Sequence, residues 1–174
     1  FADVLLIFML GLQLGQYRMM IDNSLAIFTG QMQVQADGYN DEPYMYRTIA
    51  AADALAEDIR ARTQLEAVAT RGYGFALVSS ETRTLGAQIS GVDPQFEPRV
   101  STLPGLIKQG RYLDGKADNE IVIGSTLARN LRVEPGDELT ILGSGRDGSM
   151  AATVTPVGGI YESGHRDMDR MMLS

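Results

Sequence analysis

Residues 120–142 read EIVIGSTLARNLRVEPGDELTIL, and residues 144–164 continue as SGRDGSMAATVTPVGGIYESG. Glu120 to Ile123 predicts a strand, and Ser125 to Leu131 predicts a short helix presenting Leu127 and Leu131. A turn follows: Pro135 presets φ, Gly136 tolerates a positive φ, and the Asp137 carboxylate is placed to accept backbone N–H bonds. Glu138 to Leu142 then forms a strand. Asp147-Gly148 signals a tight hairpin whose return strand runs from Met150 to Ile160. The second half of the chain is therefore a compact, strand-rich unit.

Upstream, GVDP at Gly91 to Pro94 marks a boundary, because proline forces its predecessor out of the helical region. Just beyond it, Ser101 is expected to cap a short helix carrying Leu103, Leu106 and Ile107 and ended by Gly110, with Pro104 tolerated in its first turn. Before the boundary, Phe75 and Leu77 alternate with small residues. Leu85, Ala87 and Ile89 repeat that period of two after a turn at Ser79 to Thr82, so a hairpin is predicted. A helix precedes it, entered through Asp41, Glu42 and Pro43, with Met45, Ile49, Ala52, Leu55, Ala56 and Ile59 on one face and Arg60 and Arg62 near its end. Gln31 to Gln35 alternates as a half-buried strand would, and Ala36 to Asn40 is a polar turn. The expected fold class is α+β, with this helix covering one face of the sheet.

The chain opens FADVLLIFMLGLQLG, and from Val4 to Leu14 only Gly11 and Gln13 break the apolar run. A bilayer span takes about 20 residues, so this run alone cannot cross. Leu10, Leu14, Tyr17, Ile21, Leu25 and Phe28 fall on one helical stripe, extending the helix to Thr29 before a stop at Gly30. One reading is the outer end of a transmembrane helix that begins upstream. Asp3 opposes a deep membrane position, and a buried amphipathic helix of a soluble protein is the other reading.

With 15 Lys and Arg against 22 Asp and Glu, the net charge of −7 repels a nucleic-acid backbone. The lack of cysteine removes disulfides, thiolate metal sites and cysteine nucleophiles. His165 beside Asp167 and Asp169 resembles an acid/base or metal cluster, yet a transition metal needs more His or Cys ligands than the chain offers. A solvated, charge-paired loop is the plainer reading. Asp37, Asp41 and Glu42 lack calcium-loop spacing. Gly143, Gly145 and Gly148, near Ser144 and Ser149, sit between strands and so read as a hairpin rather than a phosphate loop. Ser79, Ser80 and Ser125 lack the setting of a hydrolase nucleophile. Met19 and Met20 read as helix packing, whereas Met171 and Met172 stay undecided.

QMQVQADGY, GVDP, GRYL at Gly110 to Leu113, EIVIGSTLA, VEPGDELTI and VGGIYESG form an ordered series over roughly Leu10 to Leu173. That series resembles the periplasmic region of bacterial ABC-transporter permeases of the MacB, lipoprotein-releasing and FtsX-like group. The resemblance implies a membrane-proximal stalk helix over residues 1–29 and the first half of a porter-like α/β subdomain over 30–90. It further implies a strand-rich insertion over 91–164, and the start of a return to the porter-like part over 165–174.

It also implies an inner-membrane protein whose segment here lies in the periplasm, working as a dimer with a second permease subunit and a cytoplasmic ABC ATPase. Such a protein does no bond-making chemistry and needs no cofactor. It moves a hydrophobic cargo (lipoprotein, amphiphile or peptide), with a lipoprotein or a periplasmic or outer-membrane protein as further partner. Leu14, Ile21 and Phe28 are the residues expected to pack on another stalk or transmembrane helix. Two alternatives remain: a soluble periplasmic adaptor or ligand-binding module with a docking helix, and a carboxylate hydrolase using Glu120 and Asp137.

Overall fold

The computed structural model describes residues 2–24, 30, 32–41, 47–65, 67–115, 119–144, 149–166 and 168–173. Helix α1 spans Ala2–Ser24 and α2 spans Ala52–Arg62. Strands β1 (Arg71–Ser79) and β2 (Thr84–Val92) form a hairpin, followed by α3 (Glu97–Val100), a 3-10 turn at Leu103–Leu106 and β3 (Ile107–Gly110). Then come β4 (Ile121–Gly124), α4 (Ser125–Leu131), β5 (Glu138–Ser144), β6 (Met150–Tyr161), a 3-10 turn at Met168–Arg170 and β7 (Met172–Leu173).

The sheet order is β3-β6-β4-β7-β2-β1-β5, and β5 also pairs with β6. Six strands therefore close into a ring, with β3 added beside β6. Closure depends on the two residues of β7, which run parallel to β2 and antiparallel to β4. Strands on both sides of GVDP share this one sheet, so the fold is α+β with a curled sheet at its centre.

Because side chains alternate across a strand, one set points into the ring. Ala76, Val78, Ala87, Ile121, Ile123, Leu139, Ile141, Val157 and Ile160 form that interior, and Leu127, Ala128 and Leu131 of α4 join the same cluster. Helix α4 thereby plugs one end. Its last carbonyls find donors from the β1–β2 turn, Ser80 Oγ to Leu131 O at 2.8 Å and Arg83 Nη1 to Asn130 O at 2.8 Å. A second core lies on the outer wall, where Leu103 and Leu113 cover Val122 and Tyr161.

The strand-rich half follows the expected order closely, with α4 at the predicted residues and the VEPGD turn formed by Gly136 at φ 100° and by Glu134 N–H donating to Asp137 Oδ2 at 2.8 Å. Strands β5 and β6 are antiparallel through Ser144 and Met150, while residues 145–148, which hold the predicted Asp147-Gly148 turn, lie outside the described residues.

The first half departs from expectation in four places. Residues 32–35 form no strand: Met32 and Val34 are both exposed, and a strand needs a neighbour to bond. The second helix begins at Ala52, because Ala51 takes a left-handed φ of 53°; residues 47–50 are not helical, and Glu42, Pro43 and Met45 of the predicted entrance lie outside the described residues. Ile49 is therefore off the helix, and Asp53 supplies the acidic first turn. That helix does not cover the hairpin, since it buries only Ala56 and the inward residues of β1 are Ala76 and Val78, leaving Phe75 and Leu77 outside. Finally, Ile107 belongs to β3, because Pro104 and Gly105 hold the preceding turn to four residues.

Candidate functional site

Helix α1 is about 35 Å long at 1.5 Å per residue. Among the described residues, no helix is long and apolar enough to cross a membrane. Seven consecutive large apolar residues, Val4 to Leu10, are all more than half exposed, and at 100° per residue they occupy every side of the helix. An apolar surface with no polar face is the pattern of a helix that meets lipid or protein all round. The predicted stripe starts at the last residue of this apolar end, Leu10, and runs on through the more polar part of α1, while Leu25 lies outside the described residues. Leu14 is 69 % exposed. Ile21 falls within α1, while Phe28 lies outside the described residues.

A second apolar surface is the outer face of the β1-β5-β6 wall. Register places Leu77 opposite Leu142, and Leu142 opposite Ala152. Phe75 (66 % exposed), Leu77, Met150 and Val154 stand on the same face, framed by Ser79, Thr84, Gln88, Thr140 and Ser144.

The ionisable groups are engaged in holding the fold. Arg71 at the start of β1 makes a two-pronged pair with Glu97 of α3, Nη2 to Oε1 at 2.6 Å and Nε to Oε2 at 2.9 Å. Glu97 is fully buried and Arg71 nearly so. Burial pulls the Arg71 guanidinium down, but the hydrogen bond and charge of Glu97 outweigh it, so the net shift is upward and the pair stays ionic. Burial, followed by the Glu97 charge, pushes the neighbouring Tyr112 hydroxyl far above the usual tyrosine range, against a smaller opposing pull from Arg71. Next to this pair, the Arg60 guanidinium stacks 3.7 Å from the Phe96 ring centroid and donates to Val68 O, tying α2 to the same corner.

The GGIYESG motif works as a latch. Tyr161 donates its hydroxyl to Met168 O at 2.6 Å, and Ser163 donates through both N (2.8 Å) and Oγ (2.7 Å) to Asp169 Oδ1. Ser125 Oγ reaches Asp169 Oδ2 at 3.3 Å, so the tail that leads to β7 is pinned to β6 and α4. Asp169 is buried, which corrects the reading of the whole HRDMDR run as solvated; His165 is exposed and Asp167 lies outside the described residues. Among the described residues, no group of three His, Cys, Asp or Glu could hold a metal.

Tyr161→Phe is expected to cost about 1–2 kcal/mol, the price of leaving a buried carbonyl without its donor. Burial, and then the Asp169 charge, also hold the Tyr161 hydroxyl in its protonated form well above the usual range. Its contribution is therefore complete below the unfolded value near 10 and falls as pH rises above it. Urea unfolding at neutral and alkaline pH checks both parts, with the variant expected to lose less stability than the parent above about pH 10.

Glu120 and Asp137 are each taken up in a structural contact. Glu120 accepts from Arg111 at 2.8 Å, and Asp137 closes its own turn. The Arg71–Glu97 pair and the Tyr161–Asp169 latch went unread in the sequence. Arg71 and Glu97 are 26 residues apart, and no local pattern marks such a pair. The latch had a faint signal, a Tyr and a Ser directly after an apolar strand.

The family description "MacB-like periplasmic core domain" matches residues 4–173. The lipoprotein-releasing system transmembrane protein LolE of Haemophilus influenzae is 30% identical over 73 residues, which cover 42% of this chain and 18% of LolE. The chain thus spans less than a fifth of that relative's length. A solved domain from Porphyromonas gingivalis, from a protein described as a permease, is 22% identical with a TM-score of 0.47, over 68% of this chain and 54% of that one. Since the family match runs through α1, every strand of the ring and the latch, this chain belongs to the MacB-like periplasmic core domain family.

Proposed function

We propose that this chain is the extracytoplasmic domain of an ABC-transporter permease. In this reading α1 relays ATP-driven movement to the strand ring, and that movement exports or releases a hydrophobic cargo from the inner membrane. The observation that carries the reading is the wholly apolar, exposed start of α1, Val4 to Leu10, in a domain of this family. An apolar helix needs apolar surroundings, and a bilayer with neighbouring helices supplies them. The domain itself does no bond-making chemistry, and ATP is hydrolysed by a partner ATPase. This reading is supported by the structural engagement of Glu97, Glu120, Asp137 and Asp169.

The division into a stalk (1–29), a first porter-like half (30–90), an insertion (91–164) and a return (165–174) belongs to the same proposal, as does a second permease subunit packing on Leu14, Ile21 and Phe28. The open wall around Phe75 and Leu77 suits contact with an apolar partner or cargo. Inserting two glycines near Asp22 of the assembled transporter is expected to leave ATP hydrolysis running and abolish transport, because a flexible joint transmits no displacement. Retained transport coupled to hydrolysis would overturn the relay.

A further inference from the structure

The strand ring is stitched unevenly. Nine residues of β1 pair with β2 and seven of β5 pair with β6, whereas β2 and β7 share only two parallel pairs, Ile89 with Met172 and Ser90 with Leu173. Parallel pairing is also slightly the weaker per residue. On its other side β7 is held firmly. Gly124 N–H donates to Met171 O at 3.1 Å, the Asp169 carboxylate accepts both hydrogen bonds from Ser163, and Gly124 lies so close to the Asp169 backbone that a Cβ there would clash. The latch therefore makes β7 part of the β4–β6 wall, and the line between β2 and β7 is the weakest seam of the ring among the described strands.

Ser90 stands on that seam. It is only 1 % exposed, and among the described residues its hydroxyl has no hydrogen-bond partner. A buried hydroxyl left unpaired opposes the closed state, because water satisfies it as soon as the strands part. Register sets Ser90 between Tyr73 of β1 and Leu173 of β7, while β1 stays paired with β5 on the far side of the hairpin. The outer core packs on Tyr73 and Val92 of the same hairpin, which keeps any opening local. We propose that the β2–β7 seam is an opening joint: the β1–β2 hairpin parts from β7 while the latch and the rest of the ring stay folded, and Ser90 sets how readily it does so. The joint gives the ring a second conformation, whether or not α1 relays movement.

The test is native-state hydrogen exchange of the full chain, read amide by amide in NMR. Amides bonded between β2 and β7 are expected to exchange at least about tenfold faster than Gly124, which is bonded on the latch side, and than the amides of the β5–β6 ladder. Ser90→Ala removes the unpaired hydroxyl and is expected to slow exchange across the seam by about fivefold or more. Gly124 exchanging as fast as the seam would mean that the whole tail frays, and would overturn the joint. Seam amides as protected as the β5–β6 ladder would overturn it too, as would a seam rate left unchanged by Ser90→Ala. The comparison with Gly124 is made on the parent chain, so it decides the matter even where the variant folds poorly.

Discussion

Glu97→Ala is expected to lower the stability of this chain by about 3–5 kcal/mol, the largest single-residue effect in the fold. The loss comes less from the missing attraction than from what remains. Arg71 is left charged and nearly buried with its principal partner gone. The corner where α3 meets β1 and β2 would open to let water reach it. Replacing both partners, as Arg71→Met with Glu97→Leu, is expected to return most of that stability, since two apolar groups of similar volume need no compensation. Chemical unfolding of the parent, the single variant and the double variant checks this. A single variant within about 1 kcal/mol of the parent would show that the pair is solvated and unimportant.

Leu131→Ala is expected to cost about 3 kcal/mol, within the usual range for a fully buried leucine. The site cannot collapse easily. Leu131 stands where α4 closes the ring, its carbonyl is fixed by Ser80, and the next residue, Arg132, holds a left-handed φ of 59° that ends the helix. Those restraints keep a cavity open instead of letting the helix slide into it. The same unfolding experiment measures the loss. A cost below about 1 kcal/mol would mean that the plug is loosely packed.

How far the fold was legible depended on whether its signals were local. Residues 120–161 were readable almost to the residue, because Ser125 to Leu131, VEPGD and the hairpin strands each carry their own turn chemistry and alternation. Between residues 30 and 60 the same cues misled. Alternation at 32–35 has no neighbouring strand among the described residues to use it, and the periodic face that included Ile49 is broken by the backbone at Ala51. Alternation at Phe75 and Leu77 located the strand and concealed its orientation, since the small residues Ala76 and Ala87, paired across the hairpin, are the ones that face the interior.

Of the candidate site, the apolar opening helix was visible in the sequence. The apolar wall around Phe75, Leu77 and Val154 was not, because β1, β5 and β6 come together only through sheet pairing.

The relay through α1 is most directly tested by pulsed electron-resonance distances on the assembled transporter. The chain has no cysteine, so labels at Leu14→Cys and Arg129→Cys are unique within it. The account predicts that an ATP analogue shifts the distance between α1 and α4, and that two glycines near Asp22 abolish the shift. An unchanged distance distribution in a transporter that still moves its cargo would contradict it.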